Sequence, residues 1–216
     1  MVKDRAHMAR IEKEVFWPSL APLAEKKGLK VIAVWENGYR HITNNKKPVK
    51  VPDDLKGFKL RVPEGKWRVK MFQTYGANPS PMKFSEVFTA LQTGVVDGAE
   101  NNAPSFFTSN HYSTGAKFYT QTNHLIIPEL LVVSKVTWDK LSKDDQALLK
   151  KFGREAQLEQ RALWDKSVED YTAKLKAAGV EFINVDTKAF YDATAPVRAK
   201  YGANYADLMK RIEAVK

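Results

Sequence analysis

Residues 60–102 read LRVPEGKWRVKMFQTYGANPSPMKFSEVFTALQTGVVDGAENN, and this stretch decides the fold. An apolar strand run carries Arg61, and a helical segment follows that ends at Gly76. A tight turn (Asn78-Pro79-Ser80-Pro81), an amphipathic helix and an Asp97-Gly98 turn ending in Asn101 come next. Strand and helix alternating in this way predict an α/β fold with largely parallel sheets. A fixed guanidinium facing a side-chain amide suits recognition of a small carboxylate, because the planar fork binds two oxygens at once. Nothing in the stretch is built to break bonds.

Working outward, Arg5 to Lys27 reads as a helix with Met8, Ile11, Val15, Phe16 and Leu20 at helical spacing, bent or interrupted at Pro18. LKVIAVW (29–35) is a continuous apolar run suited to a buried strand, and Asn37-Gly38 signals a turn before a second short strand over 39–43. Val51 to Gly57 predicts a helical turn that leads into a strand over 58–62. Lys83 to Thr93 predicts a helix with Phe84, Val87, Phe88 and Leu91 on one face. HLIIPELLVVS (124–134) is β-rich. Ser142 with Asp145 three positions on is a helix-capping signature, and the helix it opens runs to Ala178, with Gly179 as its stop. A helix that long has little use in a single lobe and suits one that braces two. VEFINV (180–185) is a strand, and 188–216 is mostly helical.

At 216 residues the chain has ample size for a core. It has no apolar run approaching the roughly 18 residues that span a bilayer. The N-terminal MVKDRAHMARIEKE is charged throughout and is no signal peptide. That leaves a cytoplasmic protein, or the mature or truncated part of an exported one. The chain has no cysteine, which excludes disulfides, thiolate catalysis and cysteine-ligated zinc. A net charge of +10 invites a nucleic-acid reading. The lysines, however, are scattered and mixed with acids, which reads as a solvated surface. A basic protein that binds nucleic acid therefore stands as the second reading, and it requires steeply salt-dependent binding.

His7, His41, His111 and His124 are spread out, with no metal-ligand spacing between them. No phosphate-binding glycine loop and no nucleophile elbow is present. Asp97 and Glu100 lie close enough for acid–base work, but turn-capping suits Asp97 better. Neither an enzyme nor a cofactor has positive support.

Several pieces together carry a more specific signal: WENGYRHITN (35–44), VPDDLKGFKLRVPE (51–64), GANPSPMKFSEVFTALQTGVVDGAEN (76–101), TNHLIIPELLVVS (122–134) and WDKLSKDDQ (138–146). In order and spacing the chain resembles the periplasmic solute-binding proteins of TRAP transporters, the DctP-like family, from about Lys3 to its C-terminus. The resemblance implies a type II periplasmic-binding-protein-like fold. Two lobes close on an organic acid, a long helix braces them, and the receptor delivers its ligand to a membrane permease in the periplasm.

By the same resemblance, Arg61 is the carboxylate clamp. Asn101 supports it and the ligand, Phe84 lines the cleft, and Arg40 is a second cation near the ligand. Glu64 and Trp67 lie where the family varies with its ligand, and they hint at a hydroxylated sugar acid. Alternatives stand beside these roles: a structural salt bridge for Arg61, a core position for Phe84 and an exposed strand position for Arg40.

The resemblance further implies that this chain lacks the N-terminal part of lobe one. Residues 1–38 and 127–166 are then expected to form a partial lobe one, and 39–126 and 167–216 lobe two. Sheet edges left unprotected would invite self-association.

Overall fold

A computed structural model describes residues 2–216. In chain order the first elements are Arg5–Ile11 (α1), a π-helical stretch Glu12–Leu20, Ala21–Lys26 (α2), Leu29–Asn44 (β1), Lys59–Val62 (β2), Lys66–Thr74 (α3), Asn78–Pro81 (β3) and Val87–Gln92 (α4). Gly98–Asn101 (β4), Ala103–Thr108 (α5), Phe118–Ser134 (β5), Lys135–Trp138 (α6), Lys143–Ala177 (α7), Glu181–Asn184 (β6), Thr187–Ala193 (α8), Ala195–Gly202 (α9) and Ala206–Ala214 (α10) follow. The sheet has six strands in the order β3-β2-β4-β1-β5-β6. It is parallel between β2 and β3, β2 and β4, and β5 and β6, and antiparallel between β1 and β4.

Three local expectations are corrected. Asn37-Gly38 is no turn: β1 runs through it for 16 residues. Gly38 takes φ +67°, and a Cβ there would meet Trp164 Nε1 at 2.7 Å, so a glycine lets the strand continue under that ring. Asn78–Pro81 is an edge strand, not a turn. Both prolines are tolerated there because an outer strand has one edge without a ladder partner. Pro18 neither ends nor breaks the first helix. The helix widens to π register around it, with Ala21 N–H donating five residues back to Phe16 O, which accommodates the missing proline donor.

The chain divides into two compact units. Unit 1 comprises residues 1–38, 127–166 and 204–216. The Ser142 cap forms as expected, with its Oγ accepting from Asp145 N at 3.1 Å. The 35-residue α7 that follows is about 52 Å long. Its side chains complete the edge of β1. Gln157 Oε1 accepts from Val34 N at 2.9 Å. Gln160 brackets Glu36, accepting from its N–H at 2.7 Å and donating to its carbonyl at 2.9 Å. At these residues the strand edge is occupied, which removes a template for pairing with another chain. Below it, Glu12 accepts from Gln157 Nε2 and pairs with Arg161.

The C-terminal segment was expected in lobe two but packs in unit 1. The apolar side of α10 (Leu208, Ile212) and Val215 cover Ile11 and Val15, and Val215 O lies 3.0 Å from His7 Nε2. An amphipathic helix goes where its stripe is buried, and here that is against the N-terminal helix.

Unit 2 comprises residues 39–126 and 167–203. Its main core is formed by Ile42, Leu60 and Val62 of the strands, Phe72 and Tyr75 at α3, and Phe190 of α8. The three rings pack edge to face at 5.4–5.6 Å, a favoured aromatic geometry. On the sheet's other side Ala99 packs with Val87, Ala90 and Leu91 of α4. Gly98 opens β4 where a Cβ would collide with Thr43 O and sit 2.9 Å from Asn44 Cβ. Only glycine lets β4 approach β1 this closely.

Candidate functional site

Strands β2 and β4 are parallel, with Arg61 opposite Ala99. Arg61 and the Glu100-Asn101 pair therefore reach the same carboxyl end of the sheet, the position at which open α/β sheets take ligands. Arg61 is 3% exposed. Its Nε and Nη2 both donate to Met82 O, at 3.1 and 2.8 Å, which fixes the plane of the guanidinium. The Phe84 ring lies 5.8 Å from that guanidinium, and His111 lies 5.6 Å from Phe84. Among the described residues no carboxylate pairs with Arg61. Burial lowers its pKa to about 10, with the Glu100 charge opposing and the charges of Arg40 and Arg68 assisting, so the cation persists at neutral pH. Burial, aided by the Arg61 charge, also lowers the His111 pKa to about 4, and that ring is neutral.

A second network lies beside it. Arg40 grips Glu100 through Nε to Oε2 and through Nη2 to Oε1 at 2.9 Å. The same Nη2 donates to Glu100 O at 2.7 Å, and Nη1 donates to Asn101 Oδ1 at 3.0 Å. Glu100 is wholly buried. Burial alone would raise its pKa, but the His124 hydrogen bond and the Arg40 charge outweigh it and hold the carboxyl at about 2. Burial keeps His124 below its ordinary value. A neutral His124 facing an ionised carboxylate must carry its proton on Nε2. That nitrogen lies 3.3 Å from Glu100 Oε2, while Nδ1 accepts from Thr122 Oγ1 at 2.7 Å.

The expected site residues thus fall into three groups. Arg61 and Phe84 sit together. Arg40 and Asn101 sit together, and here the expectation is corrected: Asn101 is held by Arg40, not by Arg61. Its Oδ1 also accepts from Asn102 N at 2.9 Å. Arg40 spends all but one Nη1 donor on Glu100 and Asn101. The third group stands apart. Glu64 is exposed and engages no hydrogen bond or ion pair among the described residues. Trp67 packs edge-on against Tyr201 at 4.1 Å.

Phe84 is 49% exposed, so the core alternative fails for it. The helix expected from Lys83 begins its regular part only at Val87, which leaves Phe84 outside the packed stripe. Asp97 does not cap its own turn: its Oδ2 accepts from Lys59 N, 38 residues away, at 2.7 Å and pairs with Lys46 at 2.9 Å.

Sequence reading missed Glu100 as the counter-ion of Arg40, and His111 and His124 as buried neighbours. The alternation of β4 contained a partial signal, since a charged residue in a fully buried four-residue strand needs a partner.

Three comparisons bear on this geometry. Residues 1–204 match the family model of DctP, the bacterial extracellular solute-binding proteins, family 7. A solute-binding protein of Chromohalobacter salexigens is 39% identical over 191 residues, which are 88% of this chain and 56% of that protein. The chain thus spans little more than half the length of that relative. A TRAP periplasmic solute binding protein of Pseudomonas putida F1, solved with bound D-glucuronate, is 49% identical. It superimposes with a TM-score of 0.93 over 99% of this chain and 70% of its own. The fold is therefore the mixed α/β fold of these binding proteins, and the chain belongs to the DctP family of bacterial extracellular solute-binding proteins.

Proposed function

We propose that the chain is the ligand-recognising part of a TRAP-type solute receptor, and that it takes a small sugar acid of the hexuronate class. In this reading Arg61 is the carboxylate clamp and Phe84 its apolar wall. Asn101, held by Arg40, presents an amide to the ligand. Unit 2 corresponds to the lobe that carries the clamp, and unit 1 to part of the other lobe. The receptor works in the periplasm, performs no catalysis and hands its ligand to a membrane permease.

One observation carries the proposal. A nearly fully buried arginine, fixed by a carbonyl and with no carboxylate partner among the described residues, needs an anion to offset its desolvation. The relative from P. putida that shares this fold was solved with D-glucuronate, which supports the sugar-acid class. The surroundings favour an anion further: His111 is neutral and Glu100 is already neutralised by Arg40.

Calorimetric titration of the chain with D-glucuronate, dicarboxylates and aromatic acids tests the reading. A sugar acid is expected to bind, and Arg61→Ala is expected to weaken it by about a hundredfold, the loss of a charge-assisted bidentate contact. Unchanged affinity in Arg61→Ala refutes the clamp.

A further inference from the structure

Unit 1 contains a groove that the sugar-acid reading does not use. It lies between the π-helical stretch Glu12–Leu20, continued by α2, and the first half of α7. The π register shapes its wall. At the 3.6 residues per turn of an α-helix, residues five apart point well away from each other; the wider π turn, with its i→i+5 bonds, brings them to one side. Glu12 and Trp17 are such a pair, and the indole Nε1–H donates to Glu12 Oε1 at 2.9 Å. The same carboxylate accepts from Gln157 Nε2 at 2.9 and 3.1 Å and pairs with Arg161, so the indole is tied to α7. Arg154 lies over that ring, its guanidinium 5.5 Å from the ring centre.

Trp17 and Arg154 line both cavities of the groove, one of about 450 Å³ and one of about 270 Å³. Each cavity is lined by three cations and one carboxylate, and in each the carboxylate is already paired. In the larger, Arg161 holds Glu12, which leaves Lys13 and Arg154. In the smaller, Lys30 holds Glu25 at 2.9 Å, which leaves Lys150 and Arg154. Lys13, Lys150 and Arg154 make no hydrogen bond and no ion pair among the described residues. On α7 the neighbours three and four positions from Arg154 are Lys150, Lys151, Gln157 and Leu158, so two like charges and no acid share its face, an arrangement that costs stability. Leu158, 69% exposed, adds an apolar rim.

We infer that this groove docks an acidic peptide segment of a partner protein. One carboxylate lies beside Lys13 and another beside Lys150, with Arg154 between them, and an apolar side chain rests on Trp17 and Leu158. Charge complementarity sets the sign of the occupant, and shape sets its kind. From Lys150 to Arg161, α7 covers about 16 Å, the reach of roughly five extended residues at about 3.3 Å each. A fixed indole beside a planar guanidinium with open donors is the pair of residue types that most often anchors a protein contact. The inference is independent of the sugar-acid reading, because no residue of the clamp lines the groove.

The test is an NMR titration of the whole chain that follows the Trp17 indole N–H. The probe is the peptide Glu-Ala-Leu-Ala-Glu with both ends blocked, so that only side-chain charges count. The peptide Gln-Ala-Leu-Ala-Gln and glutarate are titrated beside it. The acidic peptide is expected to shift the Trp17 signal saturably and to bind more weakly as salt is raised. Arg154→Gln is expected to weaken it about tenfold and Lys150→Gln about three- to fivefold, the loss of one charged contact each. Both side chains are exposed, so the melting temperature of either variant is expected to stay at that of the parent or above. Arg61→Ala is expected to leave peptide binding unchanged, which separates the groove from the clamp. Equal binding of the glutamine peptide overturns the charge readout. Equal affinity for glutarate replaces the peptide by a small dianion and overturns the inference as well. So does an unmoved Trp17 signal, or an Arg154→Gln affinity within about twofold of the parent.

Discussion

Replacing Glu100 by glutamine keeps the size of the side chain and removes only its charge. In the native protein that carboxylate receives two bonds from Arg40 and one from His124, and it is wholly buried. Two routes lead to a magnitude for the loss. Removing one partner of a buried pair costs about 3–5 kcal/mol, because the other charge stays buried without compensation. The depression of the Glu100 pKa from its ordinary 4.5 to about 2 corresponds to roughly 3 kcal/mol at about 1.4 kcal/mol per pH unit. Glutamine retains an acceptor oxygen, so the lower figure applies.

For a protein of this size, about 3 kcal/mol lowers the melting temperature by roughly 6–12 °C. Urea denaturation at pH 7, with melting curves alongside, measures it. The double variant Arg40→Met with Glu100→Leu removes both charges and is expected to return to within about 1 kcal/mol of the parent. A loss below about 1 kcal/mol in Glu100→Gln, or an additive loss in the double variant, refutes the buried-pair account. The pH dependence adds a check on sign. The folded pKa is depressed, so the stability Glu100 contributes is present above pH 4.5 and is lost as pH falls towards 2. That part of the acid profile vanishes in Glu100→Gln.

Burial, with the nearby Arg40 charge, holds His41 at about 3 instead of 6.5. The unfolded chain thus binds a proton in that interval that the native state refuses, and stability falls as pH drops from 6.5. Equilibrium unfolding at pH 7 and pH 5 is expected to differ by about 2 kcal/mol from this group, and His41→Phe flattens the difference. Gly98→Ala pushes a methyl into Thr43 O and Asn44, where backbone has to move; a loss of about 1–3 kcal/mol in a denaturant titration is expected. Gln160→Ala frees the N–H and carbonyl of Glu36. It is expected to lower stability by about 1–3 kcal/mol and to produce concentration-dependent association in sedimentation velocity, since it re-opens a strand edge.

The elements were legible where their signals are local. Ser142 and Gly179 bracket a helix that the structure places at Lys143–Ala177, because caps and stops act within one turn. Gly76 and the Val51–Gly57 turn were readable for the same reason. Where a segment's state depends on a distant neighbour, local reading failed. Asn37-Gly38 carries a turn signal, but strand pairing and the Trp164 ring keep it extended. Asn78–Pro81 carries another, but β2 offers it an edge.

The same division holds at the candidate site. The sequence by itself determined the family and the placement of Arg61 in a strand. These follow from motif order and from the apolar run that carries Arg61. Only the tertiary structure decided which charges are paired. Arg40 and Glu100 are 60 residues apart, and Arg61 meets the Met82 carbonyl 21 residues on, with no carboxylate partner among the described residues. Pairing is settled by which side chains meet in a low-dielectric space. Sequence spacing carries no record of that meeting, so it cannot tell an arginine already spent on a carboxylate from one still free to hold an anion.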